Sequence, residues 1–346
     1  MPKPVHRSAT RAKVLTGDMR ELSLTLPDSG FDSVVTDPPY ELGFMGKAWD
    51  RSGVAFDPDT WRSVLRVLRP GGYMLCFGGA RTYHRLTCAV EDAGFEVRDC
   101  LMWIYGTGFP KGEGCLKPAW EPVLLARKPG KRVLPLSIDV CRVPTNDKLG
   151  GGAEGGTRAD QKGHEGWTRP WMSDPLAREA HAARVRENVA KAETMGRYPA
   201  NVVHDGSDEV MEAFAAFGER NGGHYPKARG GGGLSTSGHA GQDGLVERNS
   251  DTGTAARFFY CAKASKAERG EDNTHPTVKP LSLMRWLVRL VTPPAGKLLD
   301  PFAGSGTTLL AARQEGMSPT GIELEESYAT IARERLKGHG YAEAGA

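Results

Sequence analysis

The chain has 346 residues, 39% of them apolar, and a formal charge of +3, so it can bury one large core or two modest ones. Its slight basicity selects no substrate, but no apolar run nears the ~18 residues that a membrane helix requires. The six cysteines include no Cys-x-x-Cys pair, which argues against zinc and a disulfide framework and predicts a reduced, cytoplasmic protein.

In chain order, "KVLTGD" predicts a short strand ending at Gly17-Asp18, followed by a short helix and a second strand over Asp32–Thr36. That strand runs into Asp37-Pro38-Pro39-Tyr40. Two prolines remove two backbone donors and fix φ at each, so the strand must stop in a stiff turn that holds Asp37 and Tyr40 in place. "DPDTWRSVLRVLRPGG" predicts a helix with Trp61, Val64, Leu65 and Leu68 on one face and Pro70-Gly71-Gly72 as its stop. A strand "YMLCFGG" follows, then a helix closed by Gly94, with Cys76 and Cys88 assigned to the core. Next comes the strand-like run "FEVRDCLMWIYG". Strands alternating with helices predict an α/β fold with a mostly parallel, doubly wound sheet.

From Arg132 to Asn273 the sequence offers scattered short elements between Gly-rich pieces at 149–156 and 228–238. A segment of this length inside an α/β enzyme predicts an inserted recognition region. Its "VVHDGSDEV" is read as a helix start capped by Ser207 rather than a metal site, and no metal is expected. Regular alternation then resumes with a helix marked by Leu283, Leu287, Leu290 and Val291. The strand "KLLD", the turn "PFAGSG", a helix from Thr307, the strand "PTGIE" and a last amphipathic helix complete the pattern.

"LLDPFAGSGTT" is a strand, a glycine turn and a helix start, in which Gly304 and Gly306 let backbone approach a ligand and Thr307 and Thr308 can cap the helix. Glu323 ends the next strand, where an acid can accept both hydroxyls of a ribose. No phosphate-binding lysine loop is present, which points to a nucleoside without a triphosphate and leaves a dinucleotide open. Asp18 alone reads as a turn or helix cap. In a sheet whose strands end on one side, however, Asp18, Asp37, Asp300 and Glu323 gather around one crevice.

Taken together, "TDPPY", "HPTVKP" and "DPFAGSGTT" resemble the S-adenosylmethionine-dependent amino-methyltransferases of DNA. Their order resembles the beta class, a circular permutation of the Rossmann-like class I methyltransferase fold. Segments "RYPANVVHDGSDEV" and "RFFYCAKASKAER" resemble phage- and prophage-associated members. The resemblance implies a catalytic half over 13–131, a target-recognition region over 132–273, a cofactor-binding half of the same domain over 274–337, and a tail over 338–346. It also implies S-adenosylmethionine as cofactor and double-stranded DNA as partner.

An exocyclic amine is a poor nucleophile because its lone pair is delocalised into the ring, and acceptors aimed at its two N–H bonds help it become tetrahedral. By the resemblance, the Asp37 carboxylate and the Pro38 carbonyl are those acceptors, Pro39 holds the turn rigid, and Tyr40 stacks on a base flipped out of the duplex. Positioning then contributes much of the rate. The resemblance lines the methionine side of the cofactor with Asp37, Asp300, Phe302, Ala303, Gly304, Ser305, Gly306 and Thr307. It places Glu323 on the ribose, Asp18 on the adenine, and His275, Thr277 and Lys279 over the methionine end.

Asp at the first motif position points to adenine N6, with cytosine N4 as the alternative. A protein glutamine amide, structured RNA and a catalytically silent DNA-binding module are further readings. For DNA contacts, Lys128, Lys131, Arg132, Arg142, Arg158, Lys162 and Arg169, interleaved with Trp167 and Trp171, are candidates. A homodimer and a cognate restriction nuclease are the protein partners that the resemblance brings with it.

Overall fold

The computed structural model describes residues 11–43, 46, 48–110, 114–131, 134–145, 174–221, 252–262 and 278–340. It comprises two compact units, the first formed by Met1–Cys141, Ala200–Met211 and Phe259–Ala346, the second by Arg142–Pro199 and Glu212–Phe258.

The first unit is built on a nine-stranded sheet: β1 (Lys13–Thr16), β2 (Phe31–Thr36), β3 (Leu68–Phe77), β4 (Glu96–Ile104), β5 (Trp120–Arg127), β6 (Val202–His204), β9 (Tyr260–Cys261), β10 (Lys297–Asp300) and β11 (Ser318–Glu323). The order is β1-β11-β10-β2-β3-β5-β4-β6-β9, and β5 alone runs antiparallel to its neighbours. The last two strands among the described residues therefore lie inside the sheet between the first two.

Alternate residues of the central strands feed two cores on opposite faces. Val34, Met74 and Cys76 pack with Trp61 and Val64 of α2 (Pro58–Val67) and Leu86 and Val90 of α3 (Tyr83–Asp92). Val35, Leu75 and Phe77 pack with α6 (Leu281–Val291) and with Leu310 and Ala311 of α7 (Thr307–Gln314). Each large side chain so buried contributes roughly 1.5–3 kcal/mol. Trp61 is fully buried and satisfies its indole by donating to the Ala55 carbonyl at 2.9 Å. α1 (Met19–Leu22) follows β1, and α8 (Glu326–Gly338) packs Ala329, Ala332 and Leu336 beside Val14 and Leu309.

Three details depart from the sequence reading. β3 begins at Leu68, so Pro70-Gly71-Gly72 lies within the strand as an irregularity between two registers rather than as a stop before it. Gly71 there takes φ 81° and donates its N–H to the Lys128 carbonyl at 2.9 Å. Cys88 is exposed on α3, because the helix turns Leu86, Ala89 and Val90 inward and leaves position 88 on the outer face. Ser207 stands at the cap position of α5 (Asp208–Ala215), its carbonyl accepting from Met211 N–H at 2.9 Å, but its hydroxyl turns away from the helix, donating to Asp205 at 2.7 Å and accepting from Gly106 N–H at 3.1 Å.

In the second unit, α4 (Pro175–Met195) is a 21-residue helix, with β7 (Arg220–Asn221) and β8 (Thr252–Gly253) forming a short antiparallel ladder. The region expected to hold only short elements thus contains the longest helix among the described residues, and Ala200–Met211 returns from it to the sheet unit with β6. Among the described residues no helix is long and apolar enough to cross a membrane.

Candidate active site

A cavity of about 440 Å³ opens at the carboxyl ends of the parallel strands, where ligands bind in doubly wound sheets. Gly17-Asp18 after β1, the Asp37–Tyr40 turn after β2, Gly79 after β3, Pro301–Ser305 after β10 and Glu323 of β11 all border it. The four acids expected to converge do share this one crevice.

The turn after β2 is held from several sides. All six residues of β2 are buried, so the strand enters the turn from a fixed position. Asp50, 2% exposed, accepts from the Glu41 and Leu42 N–H groups at 2.9 and 3.2 Å and anchors the segment beyond the motif. The Thr82 hydroxyl donates to the Tyr40 carbonyl at 2.9 Å. Lys279 Nζ lies 2.6 Å from Asp37 Oδ2, while Asp37 Oδ1 is buried with no hydrogen-bond partner among the described residues. The Tyr40 hydroxyl donates to Glu121 Oε2 at 2.9 Å. Burial, then Asp37 and Glu121, push the Tyr40 phenol well above its ordinary pKa, so it stays neutral. Burial opposes the charge on Lys279, but Asp37 and Glu121 outweigh it and raise its pKa further.

On the other side of the cavity, Asp300 Oδ1 accepts from the Thr36 hydroxyl at 2.7 Å and from Phe302 N–H at 3.1 Å, tying the ends of β2 and β10 together. Burial pushes its pKa up to about 6 against the hydrogen bonds it accepts. Glu323, 8% exposed, accepts from Gly304 N–H at 2.8 Å and from Glu325 N–H at 2.9 Å. Burial raises its pKa as well. Each carboxylate oxygen has a second lone pair, so Glu323 can still accept from a ligand's hydroxyls. Gly304, at φ 52°, keeps the turn free of a side chain beside that acid. An adenosine-bearing sulfonium fits this donor set: a buried carboxylate for the ribose, a backbone turn open to close approach, and acids facing a cation.

Several assignments take a more specific form in the structure. Asp18 borders the cavity but also caps α1 by accepting from Arg20 N–H at 2.8 Å, and its hydrogen bonds to the Arg20 side chain lower its pKa. Phe302, Ala303, Ser305 and Thr307 line the cavity, whereas Gly306 does not. Gly306 instead takes φ 79° as the residue before α7, where a Cβ would stand 2.7 Å from that of Ala332. Lys279, expected over the methionine end, meets the proline turn after β2. Lys128, offered as a phosphate partner, donates to the Leu68 carbonyl at 2.8 Å and to that of Arg66 at 3.3 Å, which occupies it within the sheet unit. Arg142 lies over the Tyr198 ring, 4.1 Å from its centroid, within the second unit. His275, Thr277, Arg132, Arg158, Lys162, Trp167, Arg169 and Trp171 lie outside the described residues.

Glu121 was not singled out by its sequence. It heads β5 in "AWEPVLL", where an acid reads as a solvated strand start, and the legible hint is its place between Trp120 and Pro122. The antiparallel register sets it opposite Trp103 of β4, and both border the cavity with Tyr105 and Trp120.

Curated relatives match over short stretches. The type II methyltransferase M.ScaI of Streptomyces caespitosus is 42% identical over 76 residues, 22% of this chain and 24% of that protein. The putative methylase YubD of Escherichia coli K12 is 47% identical over 62 residues, 18% of this chain and 27% of that protein. The chain thus matches about a quarter of these relatives' lengths. Among solved structures, the cytosine-N4-specific PvuII DNA methyltransferase superposes with a TM-score of 0.51 at 15% identity, covering 95% of this chain and 87% of that one, which shows a shared fold. The sequence profile of the N6/N4 DNA methylases matches residues 31–334, from the strand before the proline turn into the final helix. The chain belongs to the DNA methylase family, whose methyl donor is S-adenosylmethionine.

Proposed function

We propose that the protein is a site-specific DNA methyltransferase acting on N6 of an adenine flipped out of double-stranded DNA. The observation that carries this reading is one cavity holding both a proline-stiffened acid beside an aromatic ring and a glycine turn beside a buried ribose-accepting acid. When bound, S-adenosylmethionine supplies a methyl group on a positively charged sulfur. Glu323 and the turn at Ala303–Ser305 hold its adenosine and methionine parts, with Asp18 toward the adenine and Asp300 bracing the turn.

Asp37 and the Pro38 carbonyl accept the N–H bonds of the target amine and draw its lone pair out of the ring, and Asp37 takes up the proton that the nitrogen sheds. Tyr40 stacks on the flipped base, whose extrusion is offset by contacts with the aromatic wall of Trp103, Tyr105 and Trp120. Asp at the first motif position supports adenine. The type II methyltransferase M.ScaI among the relatives supports a sequence-specific role, and a cognate nuclease is the partner proposed with it.

The test is transfer of labelled methyl from S-adenosylmethionine to unmethylated genomic DNA, followed by nucleoside digestion and mass spectrometry. N6-methyladenine is expected. N4-methylcytosine would keep the site chemistry and overturn the base, and cofactor binding without label in DNA would favour a silent binding role.

A further inference from the structure

Asp37 and Tyr40 belong to the motif turn, but the two groups that meet them come from elsewhere in the chain. Lys279 Nζ stands 2.6 Å from Asp37 Oδ2, 3.2 Å from the Tyr40 hydroxyl and 3.4 Å from Glu121 Oε2. Lys279 is 9% exposed, so its ammonium depends on these two carboxylates in place of water.

An ammonium fixed on Asp37 opposes the reaction proposed above. It takes up one lone pair of Asp37 Oδ2 and leaves Oδ1 open, but it repels the positive charge that develops on the amine nitrogen as it is methylated. The longer contact to Glu121 offers the ammonium a second place to go. A movement of about 0.7 Å would turn it into a charge-assisted hydrogen bond without exposing the charge. We propose that Glu121 is a positioning residue for methyl transfer, drawing Lys279 off Asp37 when the target amine arrives, so that Lys279 is a movable cap on the acid.

Glu121 also accepts from the Tyr40 hydroxyl, and chemistry separates the two roles. A glutamine at 121 can still accept from Tyr40 but carries no charge to attract Lys279. An aspartate keeps the charge on a shorter stem.

The inference rests on the reading that Asp37 receives the target amine, and the experiment keeps the two apart. Single-turnover methylation of duplex DNA is measured for Glu121→Gln, Glu121→Asp, Lys279→Gln and the Glu121→Gln/Lys279→Gln double variant, with cofactor and DNA affinities measured by titration. Glu121→Gln is expected to slow the single-turnover rate about tenfold or more with both affinities nearly unchanged. Glu121→Asp should recover part of the loss. In the Lys279→Gln background, Glu121→Gln should cost little further, because the charge it would attract is gone. Independently of how the variants fold, a structure of the wild-type protein with duplex DNA and a non-reactive cofactor analogue should show Lys279 hydrogen-bonded to Glu121 and clear of Asp37. Additive losses, or Lys279 still seated on Asp37 in that complex, would overturn the inference. Absence of label in DNA from the wild type, or full activity in Asp37→Ala, would instead overturn the reading beneath it.

Discussion

Asp300 is sealed at the carboxyl end of β10, 1% exposed, with its pKa pushed up by burial from its ordinary 3.8 to about 6. A carboxyl whose folded pKa lies above its unfolded one binds protons more tightly in the native state, so its contribution to stability is greatest in acid. That contribution is fully present below about 3.8 and is lost as pH rises through about 6, a change of about 3 kcal/mol. Asp300→Asn should flatten this part of the stability curve, as measured by chemical denaturation at stepped pH. A variant curve parallel to the wild type would remove Asp300 as its source. For Asp37→Ala, methylation should fall by about a hundredfold or more while titration of cofactor shows affinity largely kept; unimpaired transfer would end its assignment as the amine acceptor. Asp37 and Asp300 were legible in the sequence because each stands at a strand end beside a proline or glycine turn that leaves its own mark, and Glu323 because it ends the strand that follows the glycine turn. Glu121 and its meeting with Lys279 were not, since an ion pair between the start of β5 and the segment before α6 is made by the tertiary fold and no local pattern encodes it.

At the level of elements, the turn into α7 is sharply constrained. Gly306 has φ 79°, and a Cβ would come within 2.7 Å of Ala332 Cβ and 3.1 Å of Ala332 Cα, a rigid neighbour on α8. Gly306→Ala should therefore destabilise the protein by about 1–3 kcal/mol and weaken cofactor binding through the displaced turn. Gly53, at φ 74° with open space around its missing Cβ, provides the comparison: Gly53→Ala should cost only the backbone term of about 1 kcal/mol. Equal losses in thermal unfolding would mean that the packing on α8 contributes nothing. The amphipathic helices were legible because their apolar residues recur at helical spacing. α4 was missed because "PLAREAHAARVRENVAKAETM" is rich in Ala, Arg and Glu, which favour a helix without drawing an apolar face. Pro-Gly-Gly marks a stop locally, whereas pairing of Leu68 with Phe31 carries β3 through it.

For the whole molecule, the proposed division of labour puts methyl transfer in the sheet unit and sequence reading in the second unit. Exchanging Arg142–Pro199 and Glu212–Phe258 together for the matching segments of a relative that modifies another site should move the methylated sequence and leave the methylated atom unchanged. Genome-wide detection of modified bases reads both outcomes, and an unchanged motif would return sequence reading to the sheet unit. The strand order carries a consequence for how such a protein is made. β1 pairs only with β11, and β2 needs β10 on one side, so a growing chain that has already displayed the proline turn after β2 holds two incomplete sheet edges until residues 297–323 are synthesised. Contacts closed over such separations form slowly. The cavity between these strand ends is incomplete until late in synthesis, and during that interval the exposed strand edges are where a chaperone would act and where aggregation would begin.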